Sequence, residues 1–420
     1  MKDGQERMVG AAVAEGVLDR APHAALFYDL DRVARRIEEL RAAFPSGTLH
    51  ALAVKACPIA ELLRRTTAMG CGAEVASLAE LRHALRVGIP PGRIVFDSPA
   101  KTEDELRFAL EQSVHVNADS LQEIDRIGGI LRVRGDAPVS IGVRVNPEVR
   151  AGSIESSSTG MAGSKFGVSL HDDEAGLLER FETFPWLRGL HVHVGSQGCS
   201  LDLLVDGVGR VLELADRIER LCGAGRLRTF DLGGGLSAAY QPGEVAPGFD
   251  DYANLLHDRA PRLFAEDWQL ITEFGRAVWA SSAIALTRVE YTKTSHGRQI
   301  AIGHLGADMF PRTAYLPDVW PHEVRVFGRD GRPKGGQTVE QDIAGPLCFS
   351  GDLVARGRPL PLIEPGDIVL VADVGAYTLS MWSRYNSRVS PPVYGSTHDS
   401  PDLIPLRRGE DVDRVLDFWE

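Results

Sequence analysis

"ALAVKACPIAEL", residues 51–62, joins an apolar run of strand length to the start of a helical pattern. Ala51–Val54 reads as a buried strand, and Ile59–Leu63 opens a helix just after Pro58. Lys55 stands where the strand ends. A buried ammonium is costly unless it is paired or neutralised. Either the strand surfaces there and the lysine is solvated, or the lysine is held at a site. A strand that passes within a few residues into a helix is one β/α unit, so the question becomes how often that unit recurs.

It recurs along most of the chain. Strand-like runs lie at 49–55, 72–77, 93–98, 114–120, 139–146, 188–196, 228–235 and 269–276. Between them come amphipathic stretches such as "SLAELRHALRVG", "TEDELRFALEQ" and "VGRVLELADRIERLCGAG"; the last ends on glycines that suit a helix stop. Eight strands alternating with helices predict an α/β fold, a (β/α)8 TIM-like barrel. An open doubly wound sheet is the alternative with the same alternation. After residue 280 the texture changes to short alternating runs broken by Gly, Pro and Asp, as in "LIEPGDIVLVADVGAYT". We therefore expect a barrel over 28–279 and a mostly β domain over 280–420, with residues 1–27 packing on the latter.

The chain has 420 residues, 44% of them hydrophobic and 25% charged, an ordinary globular balance with room for two domains. Its net charge of −12 argues against a nucleic-acid or anionic-membrane surface. No run approaches the apolar length of a membrane span. The cysteines, at 57, 71, 199, 222 and 348, show no disulfide or zinc spacing, so a reducing cytoplasm is expected.

In a barrel, chemistry collects at the C-terminal strand ends. Those ends carry Lys55, Glu74, Arg144 with Asn146, His193 with Ser196, Gly233–Gly235, and Glu273 with Arg276. Glycines let backbone N–H groups approach an anion closely, and an arginine adds a bidentate contact. A phosphorylated ligand beside a lysine able to form a Schiff base suggests pyridoxal phosphate.

With these residues placed, the chain resembles the barrel-type (fold type III) pyridoxal-phosphate decarboxylases, the diaminopimelate and ornithine decarboxylase group, over nearly its whole length. "YDLDRVARRI" (28–37), "AVKACP" (53–58), "HVHVGSQ" (191–197), "DLGGGL" (231–236), "EFGR" (273–276), "GPLCFSGD" (345–352) and "GAYTLSMWSRYNSR" (375–388) follow the family's order. The resemblance implies that Lys55 carries the cofactor and that His193 stacks on its ring. His191 has the same strand parity, so the residues alone leave the two histidines open. It implies phosphate contacts from Ser196, Gly233, Gly234, Gly235, the Gly275–Arg276 turn and Tyr377, and a bond from Glu273 to the ring nitrogen. A carboxylate there keeps the ring protonated and electron-accepting, whereas the related alanine racemases place an arginine at that position. Cys348 would reprotonate Cα after CO₂ leaves. The cysteine loop would come from the neighbouring subunit, which implies a homodimer with shared sites.

Three departures limit what the resemblance carries over, and the third bears on the substrate. Phe274 replaces a proline and Cys57 an asparagine of the family pattern. Phe349 stands where relatives carry an acid that reads a distal ammonium. "FPRTAY" (310–315) keeps Arg312 and Tyr315, residues suited to a carboxylate or other acceptor. Asp352 could supply the missing charge, but in relatives the matching aspartate resembles an interface residue. The expected activity is pyridoxal-phosphate-dependent decarboxylation at Cα of a diaminopimelate-like, carboxylate-bearing or conjugated amino acid, not plain ornithine, lysine or diaminopimelate. An amino-acid racemase and a non-catalytic cofactor-binding homologue are the alternatives.

Overall fold

The computed structural model describes residues 2–134 and 140–420, so Val139, in the fifth expected strand, lies outside the described residues. The chain forms two compact units. One comprises Arg36–Ala238 with Ala246–Ala277; the other comprises Met1–Arg35, Ala239–Val245 and Val278–Glu420.

The first unit is a closed parallel barrel. Its strands are β1 (Leu49–Ala53), β2 (Gly72–Val75), β3 (Ile94–Asp97), β4 (His115–Ala118), β5 (Ile141–Asn146), β6 (Leu187–His191), β7 (Thr229–Asp231) and β8 (Gln269–Thr272). Each pairs in parallel with the next, and β8 returns to β1 through Ile271–Leu49 and Thr272–His50. Closure removes the open-sheet alternative. Every expected run carries a strand, but all the strands except β5 stop earlier than the expected runs do. The run 228–235 ends at Asp231 because Gly233 and Gly235 turn the backbone to φ +63° and +118°. The run 188–196 ends at His191, which leaves His193 in the loop beyond the strand.

Helices alternate with the strands, and their ends are fixed by local chemistry. Leu201–Cys222 buries Leu204, Val208, Val211, Ala215 and Ile218 along one stripe. It starts where Ser200 accepts the Leu203 N–H and stops at Gly223. The helix Glu103–Glu111 opens on a reciprocal box: Thr102 Oγ1 accepts from Glu105 N, and Glu105 accepts from Thr102 N. Inside the barrel, Gly142 of β5 lies opposite Gly189 of β6. A Cβ at either position would collide with Asn117 Oδ1 or Thr229 Oγ1, so the pair leaves room for polar side chains in the lumen. Asn117 fills that space and donates to Asp231 Oδ2 at 3.1 Å.

The second unit is mostly β. A six-stranded sheet runs in the order Val324–Phe327, Ile368–Ala372, Ala283–Arg288, Ala24–Asp29, Val393–Ser396, Ile404–Arg407. The run containing Tyr28 therefore pairs in this sheet, with Ala283–Thr287 and Val393–Ser396, and not in the barrel. A four-stranded sheet holds Tyr291–Ser295, Arg298–Ile302, Thr338–Ala344 and Leu353–Pro361. Met8, Val9 and Ala12 of the helix Lys2–Ala14 share a core with Phe27, Ile284, Phe327 and Leu370. Among the described residues no helix is long and apolar enough to cross a membrane.

Candidate active site

All C-terminal strand ends of a parallel barrel lie on one rim, and the charged residues of the first unit gather there. Lys55 follows β1, and its Nζ pairs with Glu74 Oε2 at the end of β2. The lysine side chain remains 42% exposed while the Glu74 carboxylate is fully buried. Lys55 is thus neither a solvated surface lysine nor a buried one: its base is anchored and its amine is reachable. Burial pushes Glu74 up to about 8; Lys55 opposes the rise, and neighbouring Glu273 and Asp97 add to it.

The two histidines of "HVHVGSQ" occupy different environments. His191 ends β6 and is wholly buried in the lumen. Its Nδ1 faces Asp97 Oδ1 at 3.6 Å and its Nε2 faces Glu273 Oε2 at 3.5 Å. Burial alone would depress His191, but Asp97, Glu273 and Asp231 together raise it to about 9. His193, in the loop beyond, is only partly buried, and its Nδ1 accepts the Gly234 N–H at 3.0 Å. Burial, with Arg144 adding to it, pushes His193 down to about 3. It is a neutral imidazole whose remaining proton sits on Nε2.

The glycine loop touches both neighbours. Glu273 N donates to Gly233 O at 2.7 Å, and Gly233 N donates to Asp231 Oδ1 at 2.9 Å. A Cβ on Gly233 would meet His193 Nδ1 and Val192 O at 2.7 Å, and one on Gly234 would meet Glu273 O at 2.8 Å. Only glycine fits this cradle. Arg276, nearly buried, brings Nε and Nη2 to 3.4 and 3.3 Å from Ser196 Oγ. Gly275 is buried between Phe274 and Arg276. Glu273 Oε1 is buried and makes no hydrogen bond, and burial's upward push on Glu273 is overcome by His191, which holds its carboxyl below the usual range.

Lys55, His193, Ser196, Gly233–Gly235, Glu273, Gly275 and Arg276 therefore lie on the barrel unit's rim or in the loops that leave it. The other residues singled out from the sequence lie in the second unit. Cys348 is exposed on the loop 345–352, and its backbone is clamped on both sides. Its N–H donates to Asn386 Oδ1 at 2.8 Å, and Tyr385 Oη donates to its carbonyl at 3.0 Å. Asp352 accepts from Leu347 N at 2.7 Å and from Ala307 N at 2.5 Å. Phe349 stacks on Tyr315, with ring centroids 5.3 Å apart. Arg312 donates to Tyr377 O at 2.9 Å and lies over the Trp320 ring. Tyr377 has a left-handed φ of +55°.

In the sequence, Asp97 and Asp231 were passed over, His191 was held only as the alternative to His193, and Glu74 was marked only as a strand-end residue. The available signal was an acid or histidine closing an otherwise apolar strand. Arg144 and Asn146, also named at the rim, are structural: Arg144 bonds Asp97 Oδ2 at 3.3 Å, and Asn146 donates to Met161 O at 2.9 Å.

Residues 30–280 match the family described as pyridoxal-dependent decarboxylase, pyridoxal binding domain. The chain belongs to the pyridoxal-dependent decarboxylases. It is 36% identical to a diaminopimelate decarboxylase of Pseudomonas aeruginosa over 80% of this chain and 78% of the relative. It is 31% identical to that of Aquifex aeolicus over 93% and 90%. Among solved structures it superposes with TM-score 0.86 on the diaminopimelate decarboxylase of Helicobacter pylori complexed with L-lysine, at 28% identity, covering 97% of this chain and 99% of that one.

As a pyridoxal-dependent decarboxylase the protein uses pyridoxal 5′-phosphate, and the residues present fit that group. An accessible amine, a cradle that excludes any Cβ and an adjacent arginine answer to its aldehyde and its phosphate. The buried, unbonded Glu273 Oε1 answers to its ring N–H.

Proposed function

We propose that this decarboxylase acts on a diaminopimelate-like amino acid whose far end is a carboxylate or a conjugated neutral group instead of a free ammonium. The observation that carries the reading is the stack of Phe349, on the cysteine loop, against Tyr315 of the helix Pro311–Tyr315, an uncharged aromatic pair. An ammonium beside that pair would lack a counter-charge, and losing one partner of a buried pair costs roughly 3–5 kcal/mol. That is about two to four decades in binding or rate.

In this proposal Lys55 Nζ anchors the cofactor, and Ser196, the Gly233–Gly235 N–H groups, Arg276 and Tyr377 hold its phosphate. The bound cofactor supplies an electron-accepting ring conjugated to the substrate's Cα. Glu273 keeps the proton on the ring nitrogen, and neutral His193 covers the ring without adding a cation. Cys348 gives its thiol proton to Cα in place of the departing CO₂. Arg312 and Tyr315 receive the far end of the substrate. The barrel unit, near the expected 28–279, serves as the cofactor domain and the second unit as the β domain. The enzyme works in the cytoplasm as a homodimer in which each cysteine loop completes the partner's site.

CO₂ release by the purified protein, measured on a panel of free and N-conjugated amino acids, tests the substrate reading. Poor turnover of ornithine, lysine and diaminopimelate is expected, with Phe349→Glu improving at least one of them. Turnover of ornithine or lysine by the unaltered protein with kcat/KM of about 10⁴ M⁻¹s⁻¹ or above would sink it.

A further inference from the structure

His191, Asp97 and Asp231 have no role in the proposed function, yet with Glu273 they form a heavily buried cluster of charges in the barrel. His191 is 0% exposed and Glu273 5%. A histidine cation enclosed among apolar strands is costly unless acids face it. Three do: Asp97 from β3, Asp231 from β7 and Glu273 from the end of β8. Arg144 faces the far side of Asp97, His115 and His193 also face His191, and Glu74 with Lys55 lies beyond Glu273 and Asp97.

The two oxygens of Glu273 are differentiated by this packing. Oε2 points to His191 Nε2 at 3.5 Å, and Oε1 is buried without a hydrogen bond. On the other side of the ring, His191 Nδ1 points to Asp97 Oδ1 at 3.6 Å. Asp231, within hydrogen-bond reach of Glu273, is itself fixed by Gly233 N and Asn117 Nδ2. Burial, and then Glu273's charge, hold Asp231 well above the usual carboxylate range. An imidazolium flanked by two carboxylates thus occupies one face of Glu273 and leaves a single oxygen for the ligand.

We propose that His191 is a positioning residue: as a buried cation seated between Asp97 and Glu273, it aims Glu273 Oε1 at the cofactor's ring nitrogen and keeps that carboxylate ionised. The inference rests on the assignment of Glu273 to the ring nitrogen. The Asp97–His191–Glu273 set also has the donor types of a divalent-metal site, and the two readings differ in what the purified protein contains.

The test compares holoenzyme with His191→Gln, Glu273→Gln and the double variant. It reads cofactor dissociation by equilibrium dialysis and the pH dependence of the visible absorption band. His191→Gln should weaken cofactor retention on the order of ten- to a hundredfold, as outer-shell partners of a bound group do. It should also move the band's pH midpoint up by about one unit or more, because removing a cation within a few ångströms favours the protonated form of the titrating group. In the Glu273→Gln background the same change should add less than about twofold, because the effect travels through Glu273. If Glu273→Gln disturbs the cofactor while folded His191→Gln matches wild type, the positioning role is overturned and the Glu273 assignment stands. If neither variant disturbs it, the Glu273 assignment fails as well. Asp97→Asn approaches His191 from its other side and decides the matter if His191→Gln does not fold: a smaller shift in the same direction supports the role, and no shift overturns it. A stoichiometric metal in wild type that His191→Gln loses would assign the cluster to an ion and overturn the proposal.

Discussion

At the barrel rim, Lys55, Glu273 and His191 are oriented by charge: each faces an ionisable partner within a buried cluster. On the loop 345–352, Cys348 is oriented through its backbone, by Asn386 on its N–H and Tyr385 on its carbonyl. The first arrangement prepares protonation states as well as positions and is therefore sensitive to pH. The second places a thiol through hydrogen bonds to its own backbone N–H and carbonyl. Under the proposed roles, cofactor anchor and proton donor, the two regions meet different needs by different physics.

The largest test of that contrast removes one reactive group from each region. Lys55→Ala should lose the visible absorption of bound cofactor and at least about a thousandfold in activity. Borohydride reduction of wild type should label Lys55 and not Lys101, which is buried and bonded to Ser98 O and Asn117 O. Cys348→Ala should keep the absorption and lose turnover. Mixing the two inactive proteins under subunit exchange should recover up to about a quarter of wild-type activity, because half the dimers would carry one intact site of two. No recovery despite demonstrated exchange would mean that each site is built within one chain.

A smaller effect separates the clamp from the thiol it holds. Asn386 accepts the Cys348 N–H from a left-handed conformation, φ +57°. Asn386→Gly keeps that conformation accessible and removes only the acceptor. Loss of one such bond, about 1–1.5 kcal/mol, predicts roughly a tenfold fall in kcat. KM and cofactor absorption should barely move. A rise in KM equal to the fall in kcat would show that Asn386 shapes substrate binding instead.

The smallest effect is the pH dependence of stability. His191 is raised from 6.5 to about 9, so its contribution is fully present below about pH 6.5 and is lost as pH rises through 9. That shift corresponds to roughly 3 kcal/mol at most. Glu74, raised to about 8, makes stability fall in the same direction between about pH 4.5 and 8. The melting temperature of the holoenzyme should decline from pH 6.5 to 9, and His191→Gln should flatten the decline. An unchanged slope would remove His191 as its source.

How far the sequence could be read depends on what each feature requires. Lys55, the glycine loop and Glu273 were legible because they sit at strand ends, which alternation locates to within a few residues. The choice between His191 and His193 was not, since both have the same parity. Only the exact end of β6 separates a lumen residue from a loop residue. Tyr28 was placed at the start of the barrel because local pattern does not show a strand's partners. Those of its strand are Ala283–Thr287 and Val393–Ser396, remote in the chain. Asp97 and Asp231 escaped notice because a lone acid ending a strand looks like a boundary marker until its neighbours across the lumen are known.

The bonding around Asp352 has a consequence for how this scaffold can diversify. Side chains at Gly306 and Gly345 would run into Asp352, and Asp352 fixes the start of the loop at Leu347 and Ala307. Phe349 is only partly buried, and none of the bonds that seat Cys348 passes through its side chain. Under the proposed roles, chemistry and selectivity are therefore adjacent in sequence but seated by separate bonds. On that reading a lineage could exchange residue 349 to accept a new substrate while Cys348 beside it stayed in place.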